Sequence, residues 1–252
     1  MEELIVALTL GLVQGLLEWL PVSSSGHVLL LSSALGIREA YELSMSLHLG
    51  TACAAAILFK REFLNAARQA LSLGRRGGRE LRVLLVSTLL TAVLGLPVYL
   101  LVRGVEEASF RWLMLLVAAS LFLTAAIPRS KGGVKAVSTR EAVALGLAQG
   151  AAALPGLSRS GITLAVLLAL GVEPEEAVRW SVIAGVPVAA GAALLSLTEV
   201  WSNFYVVALG NLAAFLSGLI SARVLLEISK RFDLSRFAAL AGLLALLSAA
   251  LS

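Results

Sequence analysis

The chain has 252 residues, of which 59% are hydrophobic and only 14% charged, and its mean hydropathy is +0.92. Soluble domains carry about 25% charged residues, so the composition excludes a soluble fold and indicates an integral membrane protein. The formal net charge of +4 comes from basic residues gathered between apolar runs, which speaks for membrane sidedness and against nucleic-acid binding.

Several simpler chemistries are also excluded. Cys53 is the single cysteine, so no intrachain disulfide forms, and its apolar surroundings predict a packed, buried thiol. His27 and His48 are the only histidines, too few for a Cys/His metal cluster. The opening MEEL puts acid where a signal peptide carries its basic region, so the first segment is read as part of the mature protein.

The apolar segments are long, rich in Leu and Ala, and free of period-2 alternation, which predicts helices rather than barrel strands. The first runs from about Leu4 to Leu20 and is closed by Pro21. A short second segment, Ser24 to Leu35, ends at Gly36. Two short helices joined by a polar turn suggest a re-entrant hairpin, tolerated at membrane depth where protein or a watery cavity surrounds the turn. Leu43 to Phe59 reads as a full span. The stretch from Lys60 to Arg82 carries Lys60, Arg61, Arg68, Arg75, Arg76, Arg79 and Arg82, a cytoplasmic signature. Within it, Glu62 to Leu73 suits an interfacial amphipathic helix ended by Gly74 and by Gly77-Gly78.

Val83 to Val102, with Pro97 as a kink point, and Trp112 to Ile127 are the next spans. The connection between them, Arg103 to Arg111, has no net charge, whereas the segment from Pro128 to Arg140 is basic. A second hairpin covers Glu141 to Leu170 and is broken at Leu154-Pro155-Gly156. Three further spans follow, Val178 to Leu197, Tyr205 to Leu226 and Phe237 to Leu251, with a basic connection from Glu227 to Arg236. Trp201 and Tyr205 suit the opposite interface. Placing the basic connections in the cytoplasm puts both termini on the outer face of a cell membrane. Two full spans per hairpin would give the same sidedness.

The two hairpins align without a gap at an offset of 135 residues. Gly11, Gln14 and Gly15 match Gly146, Gln149 and Gly150; Ser23, Ser25 and Gly26 match Ser158, Ser160 and Gly161; Ser46 and Gly50 match Ser181 and Gly185. Each repeat is then one hairpin plus three spans, and three spans invert its orientation. The expected fold is a single all-α polytopic membrane domain over residues 1–252, an inverted-topology repeat of six transmembrane helices and two re-entrant hairpins meeting near the midplane. Repeat one covers 1–127 with its hairpin at 4–36; repeat two covers 138–252 with its hairpin at 141–171; the cytoplasmic basic loop is 60–82.

Polar residues gather in these hairpins. Gln14 and Glu18, four apart, share a helix face. An intramembrane carboxylate marks a functional site unless it serves only as a structural hydrogen-bond partner, and its charged form calls for a cation or metal nearby. Ser23, Ser24, Ser25 and Gly26 precede a helix whose free N–H groups favour an anion. Capping alone accounts for one serine, not three. His27 suits a general acid, a general base or a nucleophile. In the second copy Arg159 stands at Ser24's position, Ala153 at Glu18's and Ile162 at His27's, so one half keeps acid and imidazole and the other gains a cation. Arg159 can bind phosphate oxygens bidentately or neutralise Glu18, and the two roles are compatible. Ser158, Ser160 and Gly161 can complete a phosphate cradle. His48, one turn after Ser44, can serve packing or line the cavity.

These residues resemble the undecaprenyl-diphosphatase, or bacitracin-resistance, family. The matching motifs are Gln14 to Glu18 followed by Pro21-Val-Ser-Ser-Ser-Gly-His27, and Pro155-Gly-Leu-Ser-Arg-Ser-Gly161. The resemblance extends over nearly the whole chain. It implies hydrolysis of a polyprenyl diphosphate lipid to the monophosphate and inorganic phosphate, recycling the carrier for cell-wall or glycan synthesis. It further implies a homodimer in membrane lipid, a site opening to the outer face, and a divalent cation, Mg²⁺ or Ca²⁺. By position, Glu18, Ser24, His27 and Arg159 carry over as catalytic or phosphate-binding residues, and Glu18 with Gln14 would face the metal. Gln14 stands where many members have Glu, and His48 where Gln is expected. Spacing alone leaves two matters open: Ser24 against His27 as nucleophile, and a transporter or flippase of polyprenyl phosphates as the rival function.

Overall fold

The computed structural model describes residues 2–35, 37, 40–72, 78–102, 110–126, 133–154, 157–200, 204–231 and 234–250. Among these the chain forms α1 (Glu2–Leu17), α2 (Ser24–Ala34), α3 (Ala40–Ser46), α4 (His48–Leu58), α5 (Lys60–Leu71), α6 (Arg79–Val102), α7 (Phe110–Ala126), α8 (Thr139–Ala151), α9 (Arg159–Ala169), α10 (Pro174–Val200), α11 (Phe204–Arg231) and α12 (Leu234–Ala250). No strand occurs among the described residues; one parallel bridge pairs Val134 with Val172.

The helix ends follow local chemistry. Pro21 disfavours helical backbone in the residue before it, and the chain turns through residues 18–21. Ser23 caps α2, its Oγ accepting from Gly26 N at 3.3 Å. Ser158 does the same for α9, accepting from Gly161 N at 3.1 Å. Ser138 and Glu141 form a reciprocal capping box on α8. Gly171, at φ 83°, ends the turn after α9 in a conformation that only glycine adopts readily, and its carbonyl accepts from Val134 N at 2.7 Å.

Several predicted boundaries shift. The expected span Leu43 to Phe59 is divided at Leu47 into α3 and α4, although Leu47 itself keeps helical backbone (φ −67°, ψ −16°). The interfacial helix is α5, two residues earlier than predicted, and it leaves the preceding helix at 83°. It ends at Ser72; the expected stop at Gly74 and Gly77 lies outside the described residues. α6 begins at Arg79 rather than Val83, because Gln69 of α5 accepts from Leu81 N at 3.0 Å and donates to Glu80 at 2.7 Å. α6 is helical across Pro97. The connection predicted at Glu227 to Arg236 is helical as far as Arg231 and again from Leu234, since Glu, Lys and Arg are good helix formers wherever a helix emerges into water. Cys53 is exposed, not buried, because Gly50, Thr51, Ala54 and Ala55 form the inward face of α4. The features expected at Arg103 to Glu107, Arg129 and Lys131, Pro155-Gly156 and Trp201 lie outside the described residues.

Three described helices, α6, α10 and α11, are long and apolar enough to cross a bilayer, and a fourth if the bent run from Glu42 to Leu71 is one span. The outer faces of α6 and α11 carry exposed apolar side chains at helical spacing: Leu85, Leu89 and Val93 on α6, and Leu212, Leu216 and Ile220 on α11. α1 shows the same pattern at Leu8, Leu12 and Leu16. So much continuous apolar surface suits lipid, not water, and the chain is a multi-pass membrane protein.

Inside, the packing is reciprocal. α1 lies chiefly against α11, α8 against α6, and α7 against α12. The matched glycines permit these close approaches. A Cβ at Gly11 would run into the Gly210 carbonyl of α11, and one at Gly15 would stand 2.6 Å from Gly218 N. On the other side a Cβ at Gly146 would stand 2.7 Å from Ser87 O, and one at Gly150 2.7 Å from Leu94 Cβ. Hydroxyls bridge both contacts: Ser221 donates to Gly15 O at 2.7 Å and Thr91 to Gly146 O at 3.2 Å.

Candidate active site

The turns of the two hairpins meet. Ser160, at the start of α9, donates to the Leu20 carbonyl in the turn after α1. Arg159 beside it reaches Glu18 and donates through Nη2 to Oε1. The acid of the first motif and the cation of the second therefore form a part-buried ion pair across 141 residues of sequence, with Glu18 its buried member. Breaking such a pair by removing one partner strands the other charge at high cost.

Glu18 is saturated with partners. Its Oε2 accepts from Gln14 Nε2 and from Ser24 Oγ, each at 2.7 Å, and stands 3.4 Å from His48 Nε2. His48 Nδ1 faces the Ser44 carbonyl at 3.0 Å. A carbonyl only accepts, so Nδ1 bears the hydrogen; a second hydrogen on Nε2 turns the contact with Glu18 into an ionic hydrogen bond. Arg159 has further supports. Its Nη1 donates to Ser181 O at 3.3 Å, and its Cζ lies 5.0 Å from the centre of the Trp19 ring. That distance is a cation–π contact.

A cavity of about 660 Å³ opens onto this cluster. Glu18, Ser23, Ser24, Ser25, Gly26, His48, Arg159 and Ser160 line it, together with Thr88, Thr91, Tyr99 and Gln149. The rest of the wall is largely apolar, with Leu29, Leu96, Leu154, Leu157, Leu194 and Leu195. Among the polar lining groups, Ser24, His48 and Arg159 meet at the Glu18 carboxylate.

Most of the residues singled out in the sequence thus come together. Ser158 and Gly161 are buried behind the wall and hold the α9 start instead of lining the cavity. Gln14 is fully buried and touches the site only through Glu18. His27 is half-buried, its Nδ1 lies 2.7 Å from the Ser23 carbonyl, and it is not part of the cavity lining. The same reasoning as for His48 puts the hydrogen of His27 on Nδ1.

A model of the bacitracin resistance protein BacA family matches residues 7–247. The chain belongs to the BacA family. It is 37% identical to an undecaprenyl-diphosphatase of Rubrobacter xylanophilus, covering 100% of this chain and 99% of that protein. It is 37% identical to one of Methanothrix thermoacetophila and 38% to one of Pyrobaculum aerophilum, each over 97% of this chain and 96% of the relative. The match spans both hairpins and all the helices that position them.

This BacA-family site also contains residues that the motifs did not announce. Trp19, Ser181 and Gly185 surround the Arg159 guanidinium. Gln149, the repeat counterpart of Gln14, donates to Thr91 Oγ1 at 3.3 Å and leaves its Oε1 without a partner. Ser181, Gly185 and Gln149 are visible in the repeat alignment, which shows that two copies agree but not what each position touches.

The donor set tests the divalent ion that the resemblance implies. Glu18 is the only carboxylate on the cavity wall, and no group of three or more His, Cys, Asp or Glu forms a metal cluster among the described residues. Gln14 Oε1, a hard oxygen with no partner, lies behind Glu18. One carboxylate and neutral oxygens make a poor resident cage. They do fit an ion that shares its coordination with phosphate oxygens, as Mg²⁺ commonly does.

Proposed function

We propose that this cavity hydrolyses undecaprenyl diphosphate to the monophosphate and inorganic phosphate, returning the lipid carrier to cell-wall or glycan synthesis. The observation that carries the reading is the junction of the two hairpins, where Arg159 and Ser24 both contact Glu18 on the wall of a cavity that is otherwise largely apolar. The diphosphate occupies the polar lining and the polyprenyl chain the apolar lining. Membership of the BacA family and the undecaprenyl-diphosphatase relatives favour this reading over transport.

Arg159 binds the terminal phosphoryl oxygens and offsets the charge that develops during transfer. Ser24 is the nucleophile on this reading, because its hydroxyl lies on the cavity wall and already donates to Glu18. Its Oγ attacks the terminal phosphorus, the hydroxyl proton passes through Glu18 to the departing polyprenyl monophosphate, and the bond to the bridging oxygen breaks, leaving Glu18 ionised again. Water then attacks the phosphoserine, its proton is taken up by Glu18, and phosphate leaves as Ser24 recovers its hydrogen. His27, with Nε2 available as an acceptor, stands behind Ser23 and steadies the turn. A divalent ion held between Glu18 and the diphosphate would supply further charge compensation to the phosphate oxygens.

The membrane arrangement belongs to the same proposal. The chain is an inverted repeat of six spans, with α1–α2 and α8–α9 as re-entrant hairpins, in a homodimer whose sites open to the outer face. The reciprocal packing of α1 on α11 and α8 on α6 supports it. Phosphate release from undecaprenyl diphosphate by the purified protein in detergent, with Mg²⁺ supplied, tests the activity where transport has no meaning. Arg159→Ala and Glu18→Gln are each expected to lower the rate about 10²–10³-fold, the usual loss when a transition-state charge partner is removed. No release by the parent protein refutes the reading.

A further inference from the structure

Arg159 reaches its position through a gap in α10. An added Cβ at Gly185 would stand 2.8 Å from Arg159 Cζ and 3.2 Å from Nη2, and closer still to Nη1. The space a side chain would fill is occupied by the guanidinium. The same group is held by the Trp19 face at 5.0 Å, by the Ser181 carbonyl one turn before Gly185, and by Glu18. Three sides of the guanidinium are therefore held by contacts, and a fourth lies where a side chain is missing.

The repeat shows that this use of the glycine is particular to one half. Gly50 is the counterpart of Gly185, and a Cβ there would meet backbone of α11, 3.0 Å from Phe215 N. Gly50 lets two helices approach. Gly185 makes room for the far end of one side chain, and that side chain carries the positive charge of the site. The two copies share the residue and differ in what it accommodates, as they differ in Ser24 and Arg159 themselves.

We propose that Gly185 is a positioning residue for the phosphatase reaction: its missing side chain forms the slot that aims Arg159 at the diphosphate. The proposal rests on the reading of Arg159 as the phosphate ligand. A methyl group in the slot pushes the guanidinium away from Glu18 and Ser181, because α10 is buried along this stretch and the far end of a side chain yields before helix backbone does. Displacing a charge partner by about 1 Å can cost 10²-fold in rate.

The test compares Gly185→Ala, Arg159→Ala and the double variant, each purified in detergent. Readouts are phosphate release from undecaprenyl diphosphate, with kcat and KM resolved, and binding of a non-hydrolysable prenyl methylene diphosphonate. Gly185→Ala is expected to elute and melt like the parent yet lose about 10²-fold in kcat/KM, and the double variant to bind and turn over like Arg159→Ala alone. If Gly185→Ala does not fold, the double variant decides: a folded double variant confirms that the clash is with Arg159, and an unfolded one overturns the proposal. Parental turnover in Gly185→Ala, or a further loss of binding on top of Arg159→Ala, also overturns it. Parental turnover in Arg159→Ala defeats the site reading itself, and the proposal with it.

Discussion

At the scale of single residues, the legible part of the site was the part that conflicts with hydrocarbon. Glu18, Ser24 and Arg159 stand out because a carboxylate, a serine run and a guanidinium have no reason to enter a membrane without partners, and the structure supplies those partners to one another. Trp19 was not legible, and Gly185 was visible only as a repeat match with no role. A glycine in a Gly- and Ala-rich span and a tryptophan in an apolar one look like ordinary composition, and only the position of the guanidinium gives them meaning. His48 lies between these cases. It was recognised as polar, but its task follows from the Ser44 carbonyl that fixes Nδ1 and turns Nε2 toward Glu18. With a hydrogen on Nε2 this 3.4 Å contact is a hydrogen bond to a charged group, which contributes about 1.5–3 kcal/mol. His48→Ala is therefore expected to lower kcat/KM about tenfold or more. His48→Gln, whose amide can still donate to Glu18, should recover most of that loss. Equal rates for the Ala and Gln variants would show that the donor at this position is idle.

At the scale of elements, helix type and order were legible from apolar runs and breakers, while boundaries moved wherever another element supplied a cap. α6 gains its first turn because Gln69 reaches across from α5, a contact that no local pattern contains. The α8 start, in contrast, is written into Ser138 and Glu141, and Ser138→Ala is expected to cost about 1 kcal/mol of stability, read as a lower thermal midpoint at unchanged kcat/KM. The glycine contacts between helices predict larger effects. Gly15→Ala forces a methyl into the Ala214 and Gly218 backbone of α11, an overpacking that typically costs about 1–3 kcal/mol. Gly191→Ala is the internal comparison, because nothing lies within 4 Å of a Cβ there and alanine is the better helix former. Thermal unfolding in detergent should therefore move down for Gly15→Ala and stay or rise for Gly191→Ala. The reverse order would mean that α1 and α11 are not held together by close backbone approach.

At the scale of the whole molecule, the proposed inverted repeat explains why one site needs both halves of the chain. Each hairpin begins on a helix packed chiefly against the other half of the chain, α1 on α11 and α8 on α6, and these two helices lead into the turns that bring Glu18 and Arg159 together. Related halves that delivered their hairpins from the same face would place the two turns side by side at one surface; inverted halves bring them together in the interior, where the cavity lies. The basic residues give this arrangement a direction. Lys60, Arg61 and Arg68 on α5 are exposed, and the connections near Lys135 and Arg236 carry the same sign. The inverted arrangement then fixes the side on which each connection emerges, and substituted-cysteine labelling checks it. Cys53, the single native cysteine, is first replaced by serine so that each introduced thiol is the only one. In that background Ser72→Cys and Lys135→Cys are expected to label with a membrane-impermeant maleimide only after the cytoplasmic face is opened. Ser109→Cys and Ser202→Cys should label on intact cells. Labelling of Ser72→Cys and Ser109→Cys from the same face would mean that α6 does not cross. The hairpins would then enter from one side, and the meeting of Glu18 with Arg159 would need a different explanation.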